Sequence, residues 1–279
     1  MNTTSQPVAY EAAGPVVTIT LDSPATRNAL DGRIIAALAD AFLRLEQEPG
    51  LRVALLRANG RMFCPGADLG WLRPGETGMA DRMDSVLATL HPALLRLRCL
   101  PAIVVAAVHG PVAGGGIGLM NLADLVIAAD DATFSLAYTR IGGTPDLGAT
   151  WHLPRLIGER RALELLLLSD GFDARRAQEL GLVNFVVPAA EFVGAVDRLV
   201  ERLAHGPAGA YATVKRLSYG AFDASLDEQL EAERRAIVAA ADGWEFREGV
   251  QALLEKRPPR FDGGDAPDGS CTGSRERYP

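Results

Sequence analysis

The run Ile103-Val-Val-Ala-Ala-Val108 is apolar at every position and leads directly into His109-Gly-Pro-Val-Ala-Gly-Gly-Gly-Ile-Gly118. A strand with no polar face needs cover on both sides, which a largely parallel sheet flanked by helices supplies. The glycines after it open a short helix predicted over 114–122. Three adjacent glycines each weaken a helix interior by about 1 kcal/mol relative to alanine, so they call for close packing or for a ligand brought up to the backbone. At a helix start they present free N–H groups and the positive end of the dipole. No register of this run satisfies G-x-G-x-x-G, and no Gly-Lys-Ser/Thr follows, which removes the dinucleotide and P-loop readings.

Similar alternation extends along the first half of the chain. Residues 15–21 are β-branched and alternating and predict a strand that ends at Asp22-Ser-Pro24. Ile34, Ile35, Leu38, Phe42 and Leu45 recur at helical spacing within 31–48, and Pro49-Gly50 stops the run. A strand over 52–57, a Gly-rich segment over 59–68, a loop over 73–80, a helix over 81–98 and a strand over 125–129 follow. After Glu159 the pattern is mostly helical, with one strand near 184–187 and helices near 190–205, 208–221, 226–241 and 243–256. These elements predict an α/β core over residues 1–200, a helical region over 201–262, and a Gly/Pro/Asp/Ser-rich disordered tail over 263–279.

Composition narrows the function. The net charge is −7, and no Lys/Arg-rich run exists to track a phosphate backbone, so nucleic acid is not an expected partner. An anionic ligand must then be held by a few basic side chains, by helix N-termini or by a second subunit. Cys64, Cys99 and Cys271 lack CxxC spacing and suggest neither disulfides nor a zinc site. The first 12 residues lack signal-peptide character and no apolar run reaches membrane length, so a cytoplasmic protein that neither enters nor crosses a membrane is expected. His109, His152 and His205 have no metal spacing, no Gly-x-Ser-x-Gly occurs, and neither a metal nor a redox cofactor is expected.

Met62-Phe-Cys-Pro-Gly-Ala-Asp-Leu69 is a second glycine-dependent segment, in which Gly66 permits a turn and Ala67 lets a ligand approach the main chain. Taken alone it also fits a tight turn closed by Asp68. Its occurrence some fifty residues before the triple glycine is far more specific. With Arg27-Asn-Ala-Leu30, Phe134-Ser-Leu-Ala, Leu153-Pro-Arg-Leu-Ile-Gly158, Ala177-Gln-Glu-Leu-Gly-Leu-Val183, Arg247-Glu-Gly249 and Glu255-Lys-Arg257, the chain resembles the enoyl-CoA hydratase/isomerase (crotonase) family over nearly its whole span. The resemblance implies a spiral of ββα turns with a C-terminal helical region that builds homotrimers, often paired into hexamers. It implies an acyl-CoA thioester substrate, coenzyme A entering as part of that substrate, and an oxyanion hole made by the N–H groups of Ala67 and Gly115. Contacts to the coenzyme A moiety are implied at Arg27, Ala29, Pro65, Ala67, Asp68, Leu69, Gly114 and Gly115, with Lys256 reaching the phosphates, often of a neighbouring subunit.

Hydratases of this family use two glutamates, and Gly118 and Tyr138 stand at those positions. Neither is a carboxylate base. Asp146, within Ile141-Gly-Gly-Thr-Pro-Asp146-Leu-Gly-Ala-Thr-Trp151, matches the aspartate that shuttles a proton in several family isomerases, including those that open rings in phenylacetate breakdown. A single base suffices to move a double bond, and an apolar pocket would raise its pKa. Asp146 also fits a helix cap after a proline. Family dehalogenases use the same position as a nucleophile beside a histidine, here His91, which also leaves a dehalogenase or thioester hydrolase open. Tyr138 is placed to donate its hydroxyl to Asp146 or to the acyl group, and equally to wall the pocket. Trp151 reads as core. A hydratase with altered residues and a non-catalytic acyl-CoA-binding homologue are the remaining alternatives.

Overall fold

The computed structural model describes residues 6–73 and 78–262. The chain passes through β1 (Val8–Ala13), β2 (Val16–Leu21), α1 (Gly32–Leu45), β3 (Val53–Ala58) and α2 (Met79–Cys99). β4 (Ile103–Val108), β5 (Pro111–Ala113), α3 (Gly115–Met120), β6 (Leu125–Ala129), β7 (Thr133–Ser135), α4 (Ala149–Ile157) and α5 (Glu159–Leu168) follow. Next come β8 (Phe172–Asp173), α6 (Ala174–Leu180), β9 (Phe185–Val187) and α7 (Phe192–Ala204), then α8 (Ala208–Gly220), α9 (Leu226–Ala241) and α10 (Trp244–Leu254).

β4 is buried at all six positions, as its composition requires. It is central in a six-stranded sheet of order β1-β2-β3-β4-β6-β9, parallel throughout except where β1 pairs antiparallel with β2. Because side chains alternate across a strand, Val53, Leu55, Ile103, Val105, Ala107 and Ile127 face α7, where they meet Val196, Val200 and Ala204. Ala54, Leu56, Val104, Ala106, Val108 and Val126 face the larger core, which contains the apolar stripe of α1. Asp31 starts that helix by accepting from the backbone N–H groups of Arg33 (3.0 Å) and Ile34 (2.9 Å).

A second, smaller layer makes the chain a spiral. β5 pairs parallel with β7, β7 antiparallel with β8, and two single-residue parallel bridges, Leu30 with Ala67 and Cys64 with Val112, continue the layer. Each turn therefore runs from a strand of the large sheet through a second-layer segment to a helix. The sequence of turns is β2, Leu30, α1; then β3, Cys64–Ala67, α2; then β4, β5, α3; then β6, β7, α4. This is the ββα spiral that the resemblance implied.

Several expectations change. β1 was not anticipated, and the second-layer strands were missed because none exceeds three residues. A division at residue 200 would cut α7, whose apolar face covers the sheet; the break between core and helical region falls after Ala204. Trp151 is not core: it is 37% exposed on α4, stacked by Arg98 at 4.3 Å and Arg155 at 4.0 Å. Part of the 73–80 loop and the whole 263–279 tail lie outside the described residues. Among the described residues no helix is long and apolar enough to cross a membrane.

The helical region is tied to the core by two polar anchors. Arg52, at the foot of β3, donates Nη1 to the carbonyls of Ala204 (3.0 Å) and Gly206 (3.3 Å) and Nη2 to that of Phe261 (2.8 Å). Lys215 of α8 is buried and donates Nζ to Asp124 (2.7 Å) and to the Ala102 carbonyl (3.1 Å). Asp124 also accepts from the Tyr219 hydroxyl and from the Val104 N–H (2.7 Å). Removing one partner of such a buried pair strands the other charge, so Asp124→Ala is expected to lower unfolding free energy by about 3–5 kcal/mol in denaturant titrations. An effect under about 1 kcal/mol would mean that this cluster does not hold α8 to the core.

Candidate active site

The spiral brings the two glycine-dependent segments together. Leu30 donates its N–H to the Gly66 carbonyl (2.7 Å) and accepts from the Asp68 N–H (2.9 Å), so the polar groups flanking Ala67 are spent on Leu30 while the Ala67 N–H points away from it. On the adjacent turn, Gly114 caps α3 and Gly115 is its first residue, where an N–H has no intrahelical acceptor. Among the described residues neither the Ala67 nor the Gly115 N–H donates to a protein acceptor. The two turns touch main chain to main chain. A Cβ on Gly66 would lie 2.8 Å from the Ala113 carbonyl oxygen, and one on Gly116 only 2.2 Å from that of Cys64.

Asn28, which sequence reasoning passed over inside Arg27-Asn-Ala-Leu30, fixes this arrangement. Its side chain is buried, donates to the carbonyls of Asn59 (2.9 Å) and Met62 (3.0 Å), and accepts from the Ser23 N–H (2.9 Å). Arg27 and Asn28 are both left-handed, at φ 54° and 64°. Asparagine tolerates that conformation better than most residues, and that tolerance is the one sequence signal by which it could have been found.

Asp146 stands beside these donors, with Oδ1 3.8 Å from where a Gly115 Cβ would be. It does not cap α4. The cap position is Gly148, no side chain caps that end, and Asp146 contributes only its carbonyl, to Ala149 N–H at 2.9 Å. The carboxylate instead accepts from the Tyr138 hydroxyl at 2.8 Å. Burial pushes the Asp146 carboxyl above its ordinary value; hydrogen bonds from the Tyr138 hydroxyl and from its own backbone N–H, and a smaller electrostatic pull from His91, draw it partly back. Burial and the neighbouring Asp146 charge raise the Tyr138 hydroxyl, which stays a donor. Cys64 is fully buried and its thiol is pushed up to about 12, so it is a packing group at neutral pH.

The remaining predicted residues are placed as follows. His91 is exposed on α2, near enough for its charge to act on Asp146. Ala29 is buried, Pro65 half-buried, Ala67 exposed and Leu69 64% exposed; Asp68 Oδ1 accepts from the Gly70 N–H at 2.7 Å in a tight turn. Arg27 is exposed. Lys256, just past α10, is exposed and left-handed at φ 55°, and makes no side-chain hydrogen bond or ion pair among the described residues. Its neighbour Arg257 is paired with Glu248 (2.7 Å) and Glu255 (2.6 Å). His109 contacts the Gly60 carbonyl (3.0 Å) and His205 that of Glu201 (2.9 Å). His152 is buried, its pKa lowered to about 4 by burial and by Arg98 and Arg155. Among the described residues no three His, Cys, Asp or Glu side chains are grouped as metal ligands.

A spiral of ββα turns with two unpaired N–H groups at adjacent turns is the architecture that the family resemblance implied, and comparison with known proteins agrees on the family. Residues 11–264 match the family model described as Enoyl-CoA hydratase/isomerase. The chain is 39% identical over 259 residues to a protein of Rhodobacter capsulatus named "Probable enoyl-CoA hydratase", covering 92% of this chain and 98% of that one. It is 36% identical over 249 residues to the 1,2-epoxyphenylacetyl-CoA isomerase of Escherichia coli, covering 89% and 95% respectively. The crystal structure of an enoyl-CoA hydratase from a Polaromonas species superposes with a TM-score of 0.84 at 32% identity, over 91% of this chain and 98% of that one. The chain belongs to the enoyl-CoA hydratase/isomerase family.

The raised Asp146 pKa has a consequence for stability. Well below the ordinary value of 3.8 the carboxyl is protonated folded and unfolded alike; as pH rises past it, the unfolded chain ionises first and stability is lost up to the folded pKa. Asp146→Asn is therefore expected to melt higher than the parent at pH 7, with the gain shrinking toward pH 4. A variant that melts lower at pH 7 would show that the carboxylate is a net stabilising group.

Proposed function

We propose that this family member is an isomerase that shifts a double bond in an unsaturated acyl-CoA, with Asp146 as its only base. The observation that carries the reading is the Asp146–Tyr138 pair beside the Gly115 backbone: one desolvated carboxylate, aimed by one hydroxyl, with glycine at 118 and tyrosine at 138 in place of any second carboxylate. Hydration needs a water positioned and deprotonated as well as a proton delivered; one base moving one proton matches allylic isomerisation.

In this mechanism the thioester oxygen of a 3-enoyl-CoA accepts from the Ala67 and Gly115 N–H groups. Asp146 takes a proton from C2, and the C–H electron pair spreads into the carbonyl and the C3–C4 double bond. Asp146, its carboxyl proton exchanging with solvent, then returns a proton to C4, leaving a C2–C3 double bond and a regenerated carboxylate. No redox change occurs. Each backbone donor is worth about 3 kcal/mol to such an anion. The coenzyme A portion is assigned to the rim of Arg27, Ala29, Pro65, Asp68, Leu69 and Gly114, with Lys256 supplied to the phosphates of a neighbouring subunit. A homotrimer, or a hexamer of two trimers, fits the large exposed apolar side chains of the C-terminal helices, among them Leu226, Leu230, Leu253 and Leu254. The relatives bear names of both kinds, a probable enoyl-CoA hydratase at 39% identity and a 1,2-epoxyphenylacetyl-CoA isomerase at 36%, so the choice of isomerase rests on the residues around Asp146.

The electrostatic pull of His91 on Asp146 is the observation behind one second reading. Asp146 would attack a halogenated aryl carbon, expel halide and form an ester, which water activated by His91 would cleave. Halide release from 4-chlorobenzoyl-CoA tests it directly.

Incubation with 3-enoyl-CoA and 2-enoyl-CoA substrates in deuterated water is expected to give alkene migration with deuterium uptake, and Asp146→Asn is expected to lower kcat by about 10²- to 10⁴-fold. Equal activity in the Asn variant would remove Asp146 from the mechanism. Because the Tyr138 hydroxyl lowers the Asp146 pKa, Tyr138→Phe is expected to move the acidic limb of the kcat profile to higher pH. An unmoved limb would mean that the hydroxyl does not act on the titrating group.

A further inference from the structure

Leu147 is an unexpected residue where it stands. It is left-handed at φ 48°, a conformation that leucine adopts only when its surroundings compel it, and it is 2% exposed. Its side chain enters a notch on α3 that exists because two residues there lack a Cβ. A Cβ on Gly118 would lie 2.7 Å from Leu147 Cβ, and a Cβ on Gly115 would lie 3.4 Å from Leu147 Cδ1 and 2.9 Å from Leu30 Cδ1. Asp146 Oδ1 borders the same Gly115 position at 3.8 Å. The residue next to the carboxylate is thus locked against the helix that bears the Gly115 N–H, one turn from it.

We infer that Leu147 is the positioning residue for Asp146: wedged into the Gly115–Gly118 notch, it sets the carboxylate against the Gly115 amide and occupies the space that any side chain at 118 would need. The inference rests on the proposed role of Asp146 and adds a specificity element to it. A carboxylate introduced at 118 cannot join Asp146 as a second base while Leu147 is seated, so the single-base character of the site is built into the packing. The strain at Leu147 is balanced by that seat, since its side chain would otherwise be exposed beside a charged group.

A cycle of Gly118→Ala, Leu147→Gly and the double variant tests the wedge by two readouts. Alanine is the better helix former, yet in the parent Gly118→Ala must push Leu147 aside and is expected to lower the melting temperature by roughly 4 °C or more. With Leu147→Gly the obstruction is gone, and the same substitution is expected to leave the melting temperature unchanged or raise it. Equal shifts in both backgrounds overturn the wedge, with no reference to activity. In the deuterium-exchange assay Gly118→Ala and Leu147→Gly are each expected to lower kcat at least about tenfold with KM within about twofold, since the thioester donors remain. Leu147→Met, which refills the notch, is expected to recover most of the loss. Should Leu147→Gly fail to fold, Leu147→Ala, which keeps the Cβ facing position 118 but removes the Cδ1 seated at Gly115, is expected to lower kcat by the same margin, and parental kcat in that variant overturns the positioning role. Asp146→Asn is run alongside. If it matches the parent, the base assignment fails; if it is inactive while Leu147→Gly keeps parental kcat, the positioning role alone fails.

Discussion

Two successive turns of the spiral meet backbone to backbone, and everything at the site depends on that contact. Hydrogen bonds from Phe63 N–H to the His109 carbonyl (2.9 Å) and from Ala113 N–H to that of Cys64 (2.9 Å) draw the strands of the second layer together. Gly66 and Gly116 permit it, because a methyl group at either would overlap a carbonyl of the other turn. With larger residues the two segments would be forced apart, and Ala67 and Gly115 would be separated with them. The glycines weaken α3, and packing between the turns offsets that weakness.

The carboxylate arrives from a third turn. Asp146 lies in the connection between β7 and α4, beyond a short 3-10 helix at Thr139–Ile141, and the course of this segment is set by left-handed residues at Ala137 and Leu147 and by the burial of Tyr138 and Leu147. Desolvation makes Asp146 a stronger base than a surface aspartate, and the Tyr138 hydroxyl keeps it ionisable. These opposing influences are those that a proton shuttle needs, because a carboxyl too acidic would not take the proton and one too basic would not return it. Leu30 and Leu147 pack against the same Gly115 position that Asp146 Oδ1 borders.

Outside this region the structure is held by ordinary means, with an apolar sheet covered on both faces and two polar anchors at Arg52 and at the Asp124–Lys215 pair. The anchors explain how helices with so many exposed apolar residues remain attached to the core. Burial lowers the Lys215 pKa while Asp124 supports the charged form, so the pair joins α8 to the loop that follows α3. The outer helices are therefore tied to the core both at β3, through Arg52, and at the turn that carries the glycines, through Asp124.

Much of this was legible in residue order. The fully apolar Ile103–Val108 strand, the helical spacing of Ile34 to Leu45, the parallel α/β core and the two glycine-dependent segments follow from local periodicity and from what glycine alone allows, and a lone carboxylate at Asp146 follows from the residues at 118 and 138. Strands of two or three residues carry too little pattern to be read, so the second layer, and with it the spiral's geometry, emerged only from pairing between distant segments. Tertiary structure alone decided that Asp146 accepts from Tyr138 instead of capping α4, that Trp151 is at the surface, and that Leu147 fills the space Gly115 and Gly118 leave open. Each of those facts depends on atoms far apart in sequence or on a backbone angle that leucine rarely takes, and neither is written in any local run of residues.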